Sequence, residues 1–174
     1  GREIDVLVMD PDWIGAVEIG FVLECKSSAR PWVVLRSEDA LANYNRFSAF
    51  ALMTEAASQA LVRNAPGSGA GDLAAMKYIE RPSEGGYGFR QALDGADQAY
   101  AAAIGAVKAS AHLAKERESL SYKPAAFYFP VVVVDSPLFE CTLQSDGELR
   151  LEEVSQSEFL FTAHIPEWVG CWVK

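Results

Sequence analysis

Residues 127–135, Phe-Tyr-Phe-Pro-Val-Val-Val-Val-Asp, restrict this chain more than any other stretch. They are aromatic and β-branched and apolar on both faces, which suits a strand in the middle of a sheet with cover on either side. Such a strand needs a sizeable core. With 174 residues, of which 50% are hydrophobic and 22% charged, the chain can supply one within a single domain spanning 1–174. No apolar run approaches the ~20 residues that cross a bilayer, so no membrane span is expected.

Two further strands are legible near the start. Residues 3–10 (EIDVLVMD) and 21–26 (FVLECK) are strand-like, and Pro11, Asp12, Gly15 and Gly20 between them supply turn chemistry. The two read as a hairpin with an extended tip. A short strand follows at 32–35. From Ser37 the pattern turns helical, with apolar positions at Leu41, Tyr44, Phe47, Leu52, Ala56 and Ala60. Residues 65–72 and 82–88 are rich in glycine and read as loops, since neither carries the GKS or GKT of a phosphate-binding loop. A long helix is expected over 97–116, with Tyr100, Ile104, Val107, Ala111 and Ala114 as its apolar stripe. After the central strand, 138–144 and 149–154 flank Ser145-Asp146-Gly147-Glu148 and predict a second hairpin. Short strands close the chain at 159–161 and 168–173. The order predicts an α/β sandwich around a mixed sheet, with an additional C-terminal β-hairpin region.

The chemistry concentrates in Glu24-Cys25-Lys26. Side chains alternate along a strand, so Glu24 and Lys26 share a face while Cys25 points away. Two charges ending an apolar strand are costly unless they pair or bind an ion. The hairpin offers a third group. If Asp5 faces Glu24, the midpoint falls between Ile14 and Gly15, inside the turn-rich stretch, and the two carboxylates stand about 5 Å apart, close enough to share a cation. Asp12 of Pro11-Asp12 is a poorer partner, because the same hairpin carries it more than roughly 20 Å from Glu24.

Glu3-Ile-Asp5-Val-Leu followed by Phe21-Val-Leu-Glu24-Cys-Lys26 resembles the E-x-D … (D/E)-x-K signature of the PD-(D/E)xK, restriction-endonuclease-like nucleases. The resemblance covers about 26 residues; beyond them only the order of elements is shared. It implies a restriction-endonuclease-like mixed β-sheet core flanked by helices. It also implies that Asp5 and Glu24, with the carbonyl of Cys25, hold Mg²⁺ or Mn²⁺ through hard oxygen ligands. Lys26 then serves the attacking water or the phosphorane, and the reaction is hydrolysis of a DNA phosphodiester. Many members carry an acid on a helix before the first motif strand. The chain opens at Gly1-Arg2-Glu3 without Met, which fits a missing N-terminal element. Glu3, Gln98, Arg90 and, behind them, Gln59 are the accessory candidates.

Charge pulls against a nucleic-acid partner. The net charge is −9, with one base against six acids in 1–25 and two against eight in 133–174, while 26–132 carry twelve bases against ten acids. A basic surface is therefore confined to the middle of the chain, and metal ions would have to offset part of the repulsion. The acidic C-terminal hairpin suits a protein partner better than DNA, and a homodimer is open. Cys25, Cys141 and Cys171 have no metal-ligand spacing with His112 and His164, so buried thiols in a reducing cytoplasm are expected. His112 reads as a solvated helix residue and Trp32 as a core residue rather than a base-stacking one. The alternative to a nuclease is a catalytically inactive member of the fold, used for protein binding or oligomerisation.

Overall fold

A computed structural model describes residues 4–11, 15–37, 51–63, 86, 88–92, 98–161 and 169–173. The central strand is there as β6 (Ala125–Val134), with seven consecutive residues buried from Ala126 to Val132. Beside it runs β2 (Val17–Lys26), parallel, with Val22 level with Pro130 and Lys26 level with Val134. β1 (Val6–Pro11) pairs antiparallel with β2 and forms one edge of the sheet. Gly15 sits in the connection at φ 72°, a conformation other residues adopt only with strain.

A proline in a central strand needs an explanation, and the register provides one. The Lys26 carbonyl accepts from Asp135 N–H, so odd residues of β6 bond towards β2 and even ones point the other way. On that other side the short strand β4 (Leu52–Met53) pairs at Tyr128 and Phe127, and β10 (Val169–Val173) pairs at Val131 and Val132. Pro130 falls between them, where no strand asks for the N–H it lacks. β9 (Ser157–Phe161) completes this six-stranded sheet on the far side of β10.

The remaining strands form a second sheet rather than extending the first, a difference from the single sheet expected. β3 (Trp32–Ser37) lies between β5 (Gly88–Gln91) and β7 (Leu138–Leu143), and β8 (Leu149–Val154) is the outer edge. Both edges of β3 are thus occupied, leaving none for β2. The hairpin of β7 and β8 forms as expected, with Gly147 at φ 86° in its turn. The two sheets share a core. Trp32, Val34, Phe89 and Leu138 of the second meet Val132 and Phe159 of the first, and Phe89 lies between Trp32, on which it stacks at 5.2 Å, and Phe159, against which it is tilted at 4.9 Å. Trp32 is fully buried, which removes it as a base-stacking platform.

Two helices are described. α1 (Glu55–Arg63) covers the end of the helical pattern read from Ser37; Leu52 and Met53 interrupt that pattern by pairing with β6, and its part over 38–50 lies outside the described residues. Thr54 caps α1, its Oγ1 accepting from Ala57 N–H at 3.3 Å. α2 (Gln98–Glu118) is the expected long helix, and Ile104, Val107 and Ala114 of its expected stripe pack inward, but the stripe is centred on alanines and leaves Tyr100 out. Ala99, Ala102, Ala103, Ala106, Val107, Ser110 and Ala114 face inward, and Tyr100 is exposed. Small side chains let the helix lie close to the sheet, which a tyrosine would prevent. The helix runs antiparallel to β2: Arg117 meets Glu18 and Gly105 meets Glu24. The advance is about 18 Å along the helix and about 20 Å along the strand, so the two match in length. Among the described residues no helix is long and apolar enough to cross a membrane. The architecture is mixed α/β, with two mixed sheets and few helices.

Candidate functional site

The hairpin register is the one expected from the turn. Val6 stands opposite Leu23, and one further step brings Asp5 level with Glu24. Asp5 lies just before β1, where the backbone ladder has ended, and its Oδ2 accepts from Cys25 N–H at 2.8 Å. The side chain thereby takes the place of the missing strand partner. Because even residues of β2 bond towards β6, the N–H and carbonyl of Cys25 both point to the β1 side, where Asp5 stands. The Cys25 side chain is exposed, contrary to the buried thiol expected, since it lies on the face away from α2 at the end of the strand.

Glu24 and Lys26 share the α2 face. Lys26 Nζ donates to Glu24 Oε1 at 2.7 Å. The Glu24 carboxylate lies over Gly105 of α2, where a Cβ would stand 3.5 Å from Cδ and Oε2. No side chain at 105 competes for that space. Glu24 Oε2 makes no hydrogen bond among the described residues, and Asp5 keeps its second oxygen.

Residues that the sequence reading passed over gather beside this corner. Because β2 and β6 are parallel, Asp135 follows β6 just where Ser27 and Ser28 follow β2. Asp135 Oδ2 accepts from Ser27 Oγ at 2.6 Å and Oδ1 from Ser28 N–H at 2.9 Å. These bonds, the Ser27 hydroxyl first, hold the Asp135 carboxyl below its usual range. Ser28 Oγ accepts from Arg30 N–H at 3.0 Å and from Gln91 Nε2 of β5. The signal for Asp135 was present: it ends an apolar strand, as Glu24-Cys25-Lys26 does, and only the parallel pairing was missing.

The accessory candidates lie elsewhere. Gln98 is exposed in the first turn of α2, about 10 Å along the axis from Gly105. Arg90 is exposed on β5 in the second sheet, opposite Val33. Gln59 bonds to Glu55 on α1. Glu3 and Asp12 lie outside the described residues. His112 is exposed and 3.5 Å from Glu116, a solvated pair on α2.

The donor set fits a hard divalent cation in kind: two carboxylates and a backbone carbonyl, all oxygen. No three or more His, Cys, Asp and Glu side chains gather within metal-binding range among the described residues. A cation here would therefore rest on Asp5, Glu24, the Cys25 carbonyl and water. Comparison with family models, with curated proteins and with solved structures returns no match to this chain.

Proposed function

We propose that this chain is a Mg²⁺- or Mn²⁺-dependent nuclease of the restriction-endonuclease-like type, acting on DNA phosphodiester bonds. One observation carries the reading: Asp5, Glu24 and Lys26 meet at one corner of the β1–β2 hairpin, with Asp5 bonded to Cys25 N–H and Lys26 to Glu24. A bound divalent ion would supply Lewis-acid polarisation of a phosphate oxygen and a water of lowered pKa. Asp5 and Glu24 hold that ion with the Cys25 carbonyl. Lys26 donates to Glu24 Oε1; with an ion on Glu24, its ammonium would orient the attacking water or balance charge on the phosphoryl oxygens. The missing side chain at Gly105 is what gives the Glu24 carboxylate room beside α2.

A second reading is favoured by the same ion pair. A lysine that permanently neutralises Glu24, with Asp5 tied to the backbone, describes a corner that has become structural in an interaction module. The test is cleavage of single- and double-stranded DNA and of RNA with Mg²⁺ and Mn²⁺. Metal-dependent cleavage that disappears in Asp5→Ala and Lys26→Ala, with unchanged circular dichroism, is the expected result. Absence of cleavage on every substrate, or cleavage that survives both changes, supports the module instead.

A further inference from the structure

The second sheet ends in an edge strand, β8, that among the described residues has no outer partner. Edge strands with apolar side chains are normally covered or blunted, because their unpaired backbone groups invite another strand. β8 is six residues long, and among the described residues nothing covers it. Leu149 is 69% and Leu151 62% exposed, and Leu143 beside them on β7 is 46% exposed.

The hydrogen-bond phase of this edge follows from the turn. Gln144 N–H donates to Glu148 O at 2.9 Å, so these two form a bonded pair. Alternation along the register Leu143↔Leu149, Thr142↔Arg150, Cys141↔Leu151 then directs Arg150, Glu152 and Val154 inward to β7. The backbone groups of Leu149, Leu151 and Glu153 point outward. An incoming strand must pair with those three.

We propose that β8 pairs antiparallel with β8 of a second copy of this chain, about a two-fold axis at Leu151. Charge selects this partner and this register. With Leu151 opposite its symmetry mate, Leu149 faces the partner's Glu153, and the three outward residues of each strand make about six backbone hydrogen bonds. Arg150 then stands directly opposite Glu152 of the partner subunit, twice by symmetry, in the closer non-bonded pairs. Arg150 and Glu152 already pair within one strand at 3.0 Å, so the dimer closes a ring of alternating charges.

Neighbouring registers lose this match. A shift that pairs Leu149 with Leu151 sets Arg150 against Arg150, and one that pairs Leu151 with Glu153 sets Glu152 against Glu152. Centring on Glu153 opposes that glutamate to itself, and centring on Leu149 runs the pairing into the turn at Gly147. The closed interface joins the two four-stranded sheets into one and leaves the corner at Asp5, Glu24 and Lys26 on a different sheet. The inference therefore stands apart from the nuclease reading.

The test is sedimentation equilibrium of the 174-residue chain and variants. The chain should be a dimer. Leu151→Pro removes an outward N–H that the monomer does not use, so it should keep the folded spectrum and sediment as a monomer. Arg150→Glu and Glu152→Arg should each weaken the dimer by about tenfold or more, and the double exchange Arg150→Glu/Glu152→Arg should restore it. A chain that is monomeric at all concentrations overturns the proposal. So does a dimer indifferent to Leu151→Pro, or single reversals that the double exchange fails to rescue.

Discussion

Glu18 and Glu24 lie on the same face of β2, about 20 Å apart, and both point at α2, yet their surroundings differ in kind. Glu18 Oε2 accepts from Arg117 Nε at 2.7 Å and from Tyr128 O–H at 3.1 Å, so one carboxylate ties β2, α2 and β6 together. Glu24 is bonded by a lysine of its own strand and faces a glycine on the helix. The first arrangement cross-links three elements and leaves little to be displaced. The second cross-links nothing, and its partner can leave without loosening the sheet. Two acids of one type on one strand thus separate into a structural end and an end with capacity for a ligand.

Two glycines sharpen the contrast. A Cβ at Gly20 would stand 2.6 Å from Cδ1 and 2.8 Å from Cε1 of Tyr128, whose ring is fully buried and held by Glu18. Gly20→Ala is therefore expected to cost about 2–3 kcal/mol in urea unfolding. Glu18→Ala comes next, at about 2 kcal/mol, because it strands the Tyr128 hydroxyl; water reaching the partly exposed Arg117 limits the loss. At the other end, Gly105→Ala brings a methyl only into ordinary contact with Glu24. Helix propensity then dominates, and a gain of about 0.5–1 kcal/mol is expected. If Gly20→Ala and Gly105→Ala had the same sign, the difference between the ends would dissolve.

Titration separates the ends more finely. Burial, assisted by Glu18, pushes the Tyr128 phenol from 10.0 up to about 12. The folded pKa is raised, so the stability from keeping this phenol neutral is complete below pH 10 and lost as pH rises through about 12. Ultraviolet titration should show Tyr128 ionising that late, and Glu18→Gln should bring it down. Asp135 shows the opposite and smallest effect. Its folded pKa lies below the ordinary 3.8, so its contribution is present above that value and fades as pH falls through the lowered one. Ser27→Ala should raise the Asp135 pKa measured by nuclear magnetic resonance.

Much of this was written in the sequence, for reasons that can be named. β1, β2 and their register followed from apolar runs on either side of a turn whose midpoint admits one pairing of Asp5 with Glu24. β6 followed from its uninterrupted apolar character, and β7–β8 from the Gly147 turn. What escaped depended on long-range pairing. β4 is too short to show a period and exists because β6 offers it an edge. β5 starts at the last glycine of the stretch 82–88 read as loop and is only four residues long, so nothing marks it until β3 pairs with it. On α2 the periodicity picks out Ile104, Val107 and Ala114 correctly, but it includes Tyr100, which the close approach to the sheet leaves exposed in favour of alanines. Asp135 joined the corner only once β6 was known to run parallel to β2, and the Glu18–Arg117–Tyr128 network needed the helix direction as well.

The measurement closest to the central claim is a Mn²⁺ titration followed by electron paramagnetic resonance, on the chain as it is and with Glu24→Gln, Asp5→Asn and Glu18→Gln. One bound ion per chain that is lost in the first two variants and kept in the third is the expected outcome. Binding that is absent at millimolar Mn²⁺, or that disappears with Glu18 rather than Glu24, contradicts the division of β2 into a closed end and an open one.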